Sequence, residues 1–97
     1  MDVRKFQTSW VGRRILPILN QDPFNLMQMD EIQQKINRKN NEGREEYGKD
    51  WVNISPQNIE SLITPEYKRQ IYDDRLSKNI QTFKNFMQPA TSLKAEA

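Results

Sequence analysis

Residues 64–88 read TPEYKRQIYDDRLSKNIQTFKNFMQ and are followed by Pro89, and we expect the rest of the chain to be organised around this segment. Thr64 suits the N-cap of a helix, and Pro65 suits its first turn. Apolar side chains then recur at intervals of three or four residues, the spacing that places them on one helical face: Tyr72, Leu76, Ile80, Phe83 and Met87. The sequence therefore predicts one long amphipathic helix over about 65–88.

The first two turns of this helix carry a second apolar side. Tyr67 and Ile71 point roughly away from the main stripe. We expect these turns to pack against a neighbour formed by Ile59, Leu62 and Ile63, whereas the later turns pack elsewhere. The helix is thus predicted to pack against two different neighbours, through one face of its first turns and another face of its later turns.

Residues 1–19 predict an N-terminal amphipathic arm that contains a short helix at about 3–14. Val3, Phe6 and Trp10 share one side of this helix, and Pro17 disfavours helical geometry in the residue before it. The arm is expected to dock on protein, with peripheral membrane contact as an alternative. No apolar run approaches the roughly 20 residues that cross a bilayer, so no membrane span is expected.

Two further helices are predicted, at about 25–39 and 56–63. The first carries one apolar stripe, and the second begins at the Ser55-Pro56 pair, which again combines a cap with a first-turn proline. Between them, residues 40–50 contain two glycines and many charges, so they are expected to form a long polar loop. The stripe of the first helix consists of Leu26, Met29, Ile32 and Ile36.

These patterns together predict a single small all-α domain over residues 1–97, with extended ends and a polar C-terminal tail at 89–97. Hydrophobic residues make up 35% of the chain and charged residues 29%, so the core must be small and a partner surface would add stability. The architecture expected is an irregular assembly of three to four helices, at about 3–14, 25–39, 56–63 and 65–88.

Catalysis is not expected from this composition. The chain has no cysteine and no histidine, which excludes disulfides, thiolate metal sites and Cys- or His-based catalysis within it. Its adjacent carboxylate pairs, Glu45-Glu46 and Asp73-Asp74, would point in different directions on a helix. We therefore predict no enzymatic activity, no cofactor and no metal site.

The leading functional hypothesis is a non-catalytic accessory subunit that docks on a larger protein assembly through its amphipathic helices. Aromatic and large apolar side chains dominate such contacts. The residues predicted to anchor the core or the interface are Phe6, Trp10, Trp51, Tyr72, Leu76, Ile80, Phe83, Phe86 and Met87.

One family resemblance bears on location. The pair Glu45-Glu46, then Trp51, the pair Ile54-Ser55 and a helix bearing Tyr67 or Tyr72 together make residues 42–76 resemble the matrix-side segment of the cytochrome c oxidase subunit IV family. The resemblance covers about a third of the chain and does not include the membrane helix of that family. It implies a slight preference for a mitochondrial, respiratory-chain-type host complex.

The alternative hypothesis is a small nucleic-acid-binding regulator related to the helix-turn-helix class. Residues 55–63 would then supply the recognition helix, although the connection from residue 40 to residue 55 exceeds the usual turn of about 3–4 residues. The cations predicted to contact nucleic acid under this hypothesis are Arg13, Arg14, Lys35, Arg38 and Lys39.

Overall fold

The computed structural model describes residues 2–71 and 74–87, and over these residues the protein is all-α, as predicted. Tyr72 and the tail at 89–97 lie outside the described residues, so the predictions made for them do not enter the account below. The α-helices are α1 (Val3–Trp10), α2 (Leu16–Leu19), α3 (Leu26–Tyr47), α4 (Pro65–Ile71) and α5 (Asp74–Phe86).

The N-terminal helix is longer than the predicted 3–14 and reaches Leu19. A π-helical turn at Val11–Ile15 joins α1 to α2, and the Leu16 N–H donates to the Val11 carbonyl across it. Pro17 falls at the start of α2, directly after this turn, and the backbone is helical on both sides of it. The proline therefore does not end the helix.

The segment predicted as an arm lies at the centre of the core. Val11, Ile15, Leu16 and Leu19 are all fully buried. These are the apolar side chains that a membrane-surface helix would have to insert into lipid. In this fold they are covered by protein instead.

The prediction of a long polar loop at residues 40–50 is wrong, because most of this segment belongs to the long helix α3. An Asn25–Gln28 capping box starts the helix, which then continues for 22 residues to Tyr47, well past the predicted end at 39. A 3₁₀ turn at Gly48–Asp50 follows, and Gly48 takes a φ of 59° that only glycine adopts readily. This region is helical because two of its residues, Asn40 and Gly43, are buried under Trp51, where the chain returns to α3.

Residues 56–63 form a turn and a short 3₁₀ helix (Glu60–Leu62), not the predicted α-helix. The Asn58 side chain accepts from the Ser55 N–H at 2.9 Å and donates to the Asn53 carbonyl at 2.8 Å. Asparagine competes in this way with the helical backbone pattern. As a result, the recognition helix of a helix-turn-helix is missing from this segment.

The C-terminal helices close the core, and residues 72 and 73 between them are outside the description. Leu76, Ile80 and Phe83 of α5 are buried, while the Asn79 side chain donates to the Leu19 carbonyl at 2.7 Å and so fixes α5 on the end of α2. On α4, the ring of Tyr67 lies against the backbone of Gly12 in the N-terminal helix. Both contacts are made with the N-terminal helix, at Gly12 and at Leu19, and Lys84 of α5 also pairs with Glu60. The prediction that the two parts pack against separate neighbours stays a prediction.

None of the helices within residues 2–71 and 74–87 combines the length and apolar character that crossing a bilayer requires.

A basic cleft around Trp10 as the candidate functional site

The most distinctive surface of the described chain is a cleft between the N-terminal helix and α3. It consists of two adjoining cavities of about 220 Å³ and about 300 Å³. Trp10, Arg14 and Lys39 line both of them. Among the residues that the structure describes, those lining the two cavities are Phe6, Ser9, Trp10, Arg13, Arg14, Lys35, Arg38, Lys39 and Glu42. We refer to this set as the Trp10 cleft.

Helical spacing on each wall explains why these residues share one cleft. On the N-terminal helix, Arg13 and Arg14 follow Trp10 by three and four residues, so they rise on the same side. On α3, the positions 35, 38, 39 and 42 repeat at three, one and three residues, which again defines one face. The two faces meet because the opposite sides of both helices are buried in the common core.

The cleft is strongly cationic. All five cations predicted as nucleic-acid contacts line it, and Glu42 is the one acidic side chain among the described residues that line it. Within residues 2–71 and 74–87, neither Arg14 nor Lys35 nor Arg38 forms an ion pair. Their charges therefore remain available for an anionic ligand.

Two cleft cations contact neighbouring cleft residues: the Arg13 side chain donates to the Ser9 hydroxyl at 3.2 Å, and Lys39 is held more extensively. Its ammonium lies 5.6 Å from the ring centroids of both Phe6 and Trp10, within cation–π range, and 3.0 Å from Oε1 of Glu42. The ammonium lies over the Trp10 ring, so the electron-rich face of this indole is accessible from the cleft. That face can bind cations and stack with other planar groups.

An aromatic cluster supports the cleft from below. Tyr47 and Trp51 stack with ring centroids 5.9 Å apart and an interplanar angle of 9°, and Phe6 packs against both at 6.0 Å and 6.2 Å. Gln7, which is fully buried, donates to the Val52 carbonyl at 2.6 Å. These contacts fix the N-terminal helix relative to the end of α3 and so hold the cleft walls in place.

Two polar side chains that matter for the site were missed by sequence reasoning. Gln7 and Asn40 are buried, and both bond to the backbone of the segment that follows α3. The signal was present in part, since Asn40 continues the Ile32–Ile36 stripe by four residues. A polar residue on an apolar stripe indicates a buried hydrogen-bonding partner.

The residues predicted as anchors are divided between core and surface. Trp51, Leu76, Ile80 and Phe83 are buried, and Phe6, Trp10 and Met87 are partly buried. Phe86 is 37% exposed, and the other exposed large apolar residues of the described chain are Leu26 (58%), Met27 (79%) and Val52 (46%).

A search of the described residues finds no group of three or more side chains that could hold a metal ion. Comparison with known proteins adds no assignment, since no family model, curated protein or solved structure matches this chain at a significant level.

Proposed function

We propose that this protein is a non-catalytic binding module and that its Trp10 cleft binds nucleic acid. One observation carries the proposal. Five cations from two helices line the same cleft, together with the aromatic rings of Phe6 and Trp10. Clustered Lys and Arg on one face are the electrostatic footprint of nucleic-acid binding, and a net charge of only +2 does not oppose it, because the field depends on where the charges lie.

The chemistry of the cleft suits the binding of phosphate. Arg14 and Arg38 are exposed arginines on opposing walls, each able to donate two parallel hydrogen bonds to one phosphate. The cleft offers neither a histidine nor a cysteine, and its single carboxylate, Glu42, is paired with Lys39. The arrangement therefore supports binding and supplies no general acid–base pair.

Neutralising both arginines is expected to weaken binding to a labelled oligonucleotide about tenfold at low salt. Each lost phosphate contact should also reduce the slope of log K against log salt by roughly 0.7–0.9, so the Arg14→Gln/Arg38→Gln variant should lose roughly 1.4–1.8. Fluorescence anisotropy titrations between about 50 mM and about 200 mM salt measure both quantities.

The matched control is Arg75→Gln/Lys78→Gln, which removes two exposed cations of α5 that do not line the cleft. Both double variants lower the net charge by two, from +2 to 0, so they share any non-specific effect of net charge. The control should bind within about twofold of the unmodified chain. Equal losses in the two variants, or no binding to any nucleic acid at low salt, would contradict the proposal.

A second candidate function is the accessory subunit that docks on a larger protein assembly. It is supported by Leu26 and Met27, which are adjacent in the first turn of α3 and are 58% and 79% exposed. Exposed apolar side chains next to one another are typical of protein contacts. A mitochondrial host has the support only of the sequence resemblance of residues 42–76.

An obligate subunit is expected to fold poorly without its partner, because part of its apolar surface stays in water. Circular dichroism of the purified chain, recorded during heating at several protein concentrations, tests this. A broad, non-cooperative transition favours the subunit hypothesis. A sharp transition that is independent of concentration contradicts an obligate subunit and leaves the nucleic-acid proposal in place.

A further inference from the structure

We propose that the Trp10 cleft selects a single nucleic-acid strand over a duplex, with one base stacked on the indole of Trp10 and the flanking phosphates on Arg14 and Arg38. This inference rests on the proposed function and specifies the form of its ligand. It follows from the shape of the cleft, from the position of Trp10 and from the charges that border it.

The shape of the cleft argues against a duplex. Duplex readers of the helical classes insert a protruding helix into a major groove about 12 Å wide. Here the cations line the walls of a concave cleft, and its cavities of about 220 Å³ and about 300 Å³ are on the scale of single nucleotides. The segment at 56–63, which could have supplied a protruding helix, forms a turn and a 3₁₀ helix.

Trp10 is placed where a base could reach it. The side chain is only partly buried and lines both cavities, so its indole borders open space. Proteins that bind single strands combine a positively charged groove with aromatic rings on which bases stack. A base that stacks on this indole would displace the Lys39 ammonium, which would then be free to approach a phosphate of the same strand.

The neighbouring charges define where the strand lies. Glu42, which also lines the Trp10 cleft, forms with Glu45 and Glu46 a further cavity towards the C-terminal end of α3. A phosphate chain is repelled from that end, so it should run across the part of α3 that carries Lys35 and Arg38. The acidic part of α3 therefore limits how far the strand can extend towards the C-terminal end of this helix.

The test compares a labelled single-stranded DNA of about 15 nucleotides, within the range of known site sizes, with a duplex of the same sequence. The unmodified chain should bind the single strand more tightly, and binding should quench tryptophan fluorescence. Trp10→Leu keeps an apolar side chain but removes the stacking surface, so it should weaken single-strand binding by about 5- to 150-fold. Trp10→Phe keeps a stacking ring and should bind within about threefold while losing the quenching signal.

Several outcomes separate this inference from the proposed function. Equal affinity for single strand and duplex overturns the inference, as does a Trp10→Leu variant that binds as well as Trp10→Phe, and in both cases nucleic-acid binding itself survives. Absence of binding to both probes overturns both proposals. Thermal melts of both variants identify a loss caused by unfolding, and only variants that melt cooperatively above the assay temperature are compared. A chain that binds vesicles of anionic phospholipid but neither DNA probe assigns the cleft to membrane phosphates and overturns the inference.

Discussion

Replacing Asn40 by alanine is expected to lower the free energy of unfolding by about 3–5 kcal/mol. Its side-chain oxygen accepts from the Trp51 indole N–H at 3.0 Å and from the Ile54 N–H at 2.8 Å, while its amide donates to the Ile54 carbonyl at 2.8 Å. Asn40 is 5% exposed, so the three groups left behind would lose their partners in the interior. Each such buried orphan costs about 1–3 kcal/mol, and partial entry of water reduces the sum.

Urea unfolding followed by circular dichroism measures this effect. Asn37→Ala is the matched control, because Asn37 is an exposed asparagine of the same helix whose side chain accepts from Gln33. The control should change stability by less than about 0.5 kcal/mol. If the two alanine variants unfold at the same urea concentration, the hydrogen bonds of Asn40 to Trp51 and Ile54 do not stabilise the fold.

Replacing Gly43 by alanine is expected to destabilise the protein by about 2–4 kcal/mol, although alanine is the better helix former. A methyl group at this position would lie 2.1–2.4 Å from ring atoms of Trp51, so the indole must leave its site. The gain in helix propensity is about 1 kcal/mol. The loss includes most of the packing of a buried tryptophan, worth about 3–5 kcal/mol, together with its stacking on Tyr47.

The measurement is again urea unfolding, combined with tryptophan emission in a Trp10→Phe background, where the signal comes from Trp51 and should shift to longer wavelength as that ring becomes exposed. Gly12→Ala provides the control. Its methyl group would lie 2.6 Å from Cε2 of Tyr67, but that atom is at the outer end of a partly buried side chain that can swing aside. We expect Gly12→Ala to remain within about 1 kcal/mol of the unmodified protein. A Gly43→Ala variant as stable as Gly12→Ala would contradict the close packing of Trp51.

These two residues also explain where sequence reasoning failed. Asn40 and Gly43 have poor helix propensity and are surrounded by charged residues, so residues 40–50 were expected to form a loop. The helix continues because Trp51 returns to cover Gly43 and bond Asn40, a contact between positions that local pattern does not link. Tertiary packing overrode propensity here.

The cleft shows a similar division between local pattern and tertiary placement. The grouping of Arg13 with Arg14, and of Lys35 with Arg38 and Lys39, is visible from helical spacing alone. That the two groups face each other across Trp10 depends on how two helices distant along the chain pack together. Spacing within one helix carries no information about that packing.

Local pattern is enough to predict three features of this protein: the all-α class, the apolar stripes of α3 and α5, and the lack of thiol and imidazole groups. Apolar periodicity and composition carry these features without reference to the rest of the chain. Tertiary packing, in contrast, sets the length of α3, the 3₁₀ turn at Glu60–Leu62 and the Trp10 cleft. Each of these three features depends on contacts between side chains distant in sequence or on competition for backbone hydrogen bonds. Such interactions form only when the core packs together.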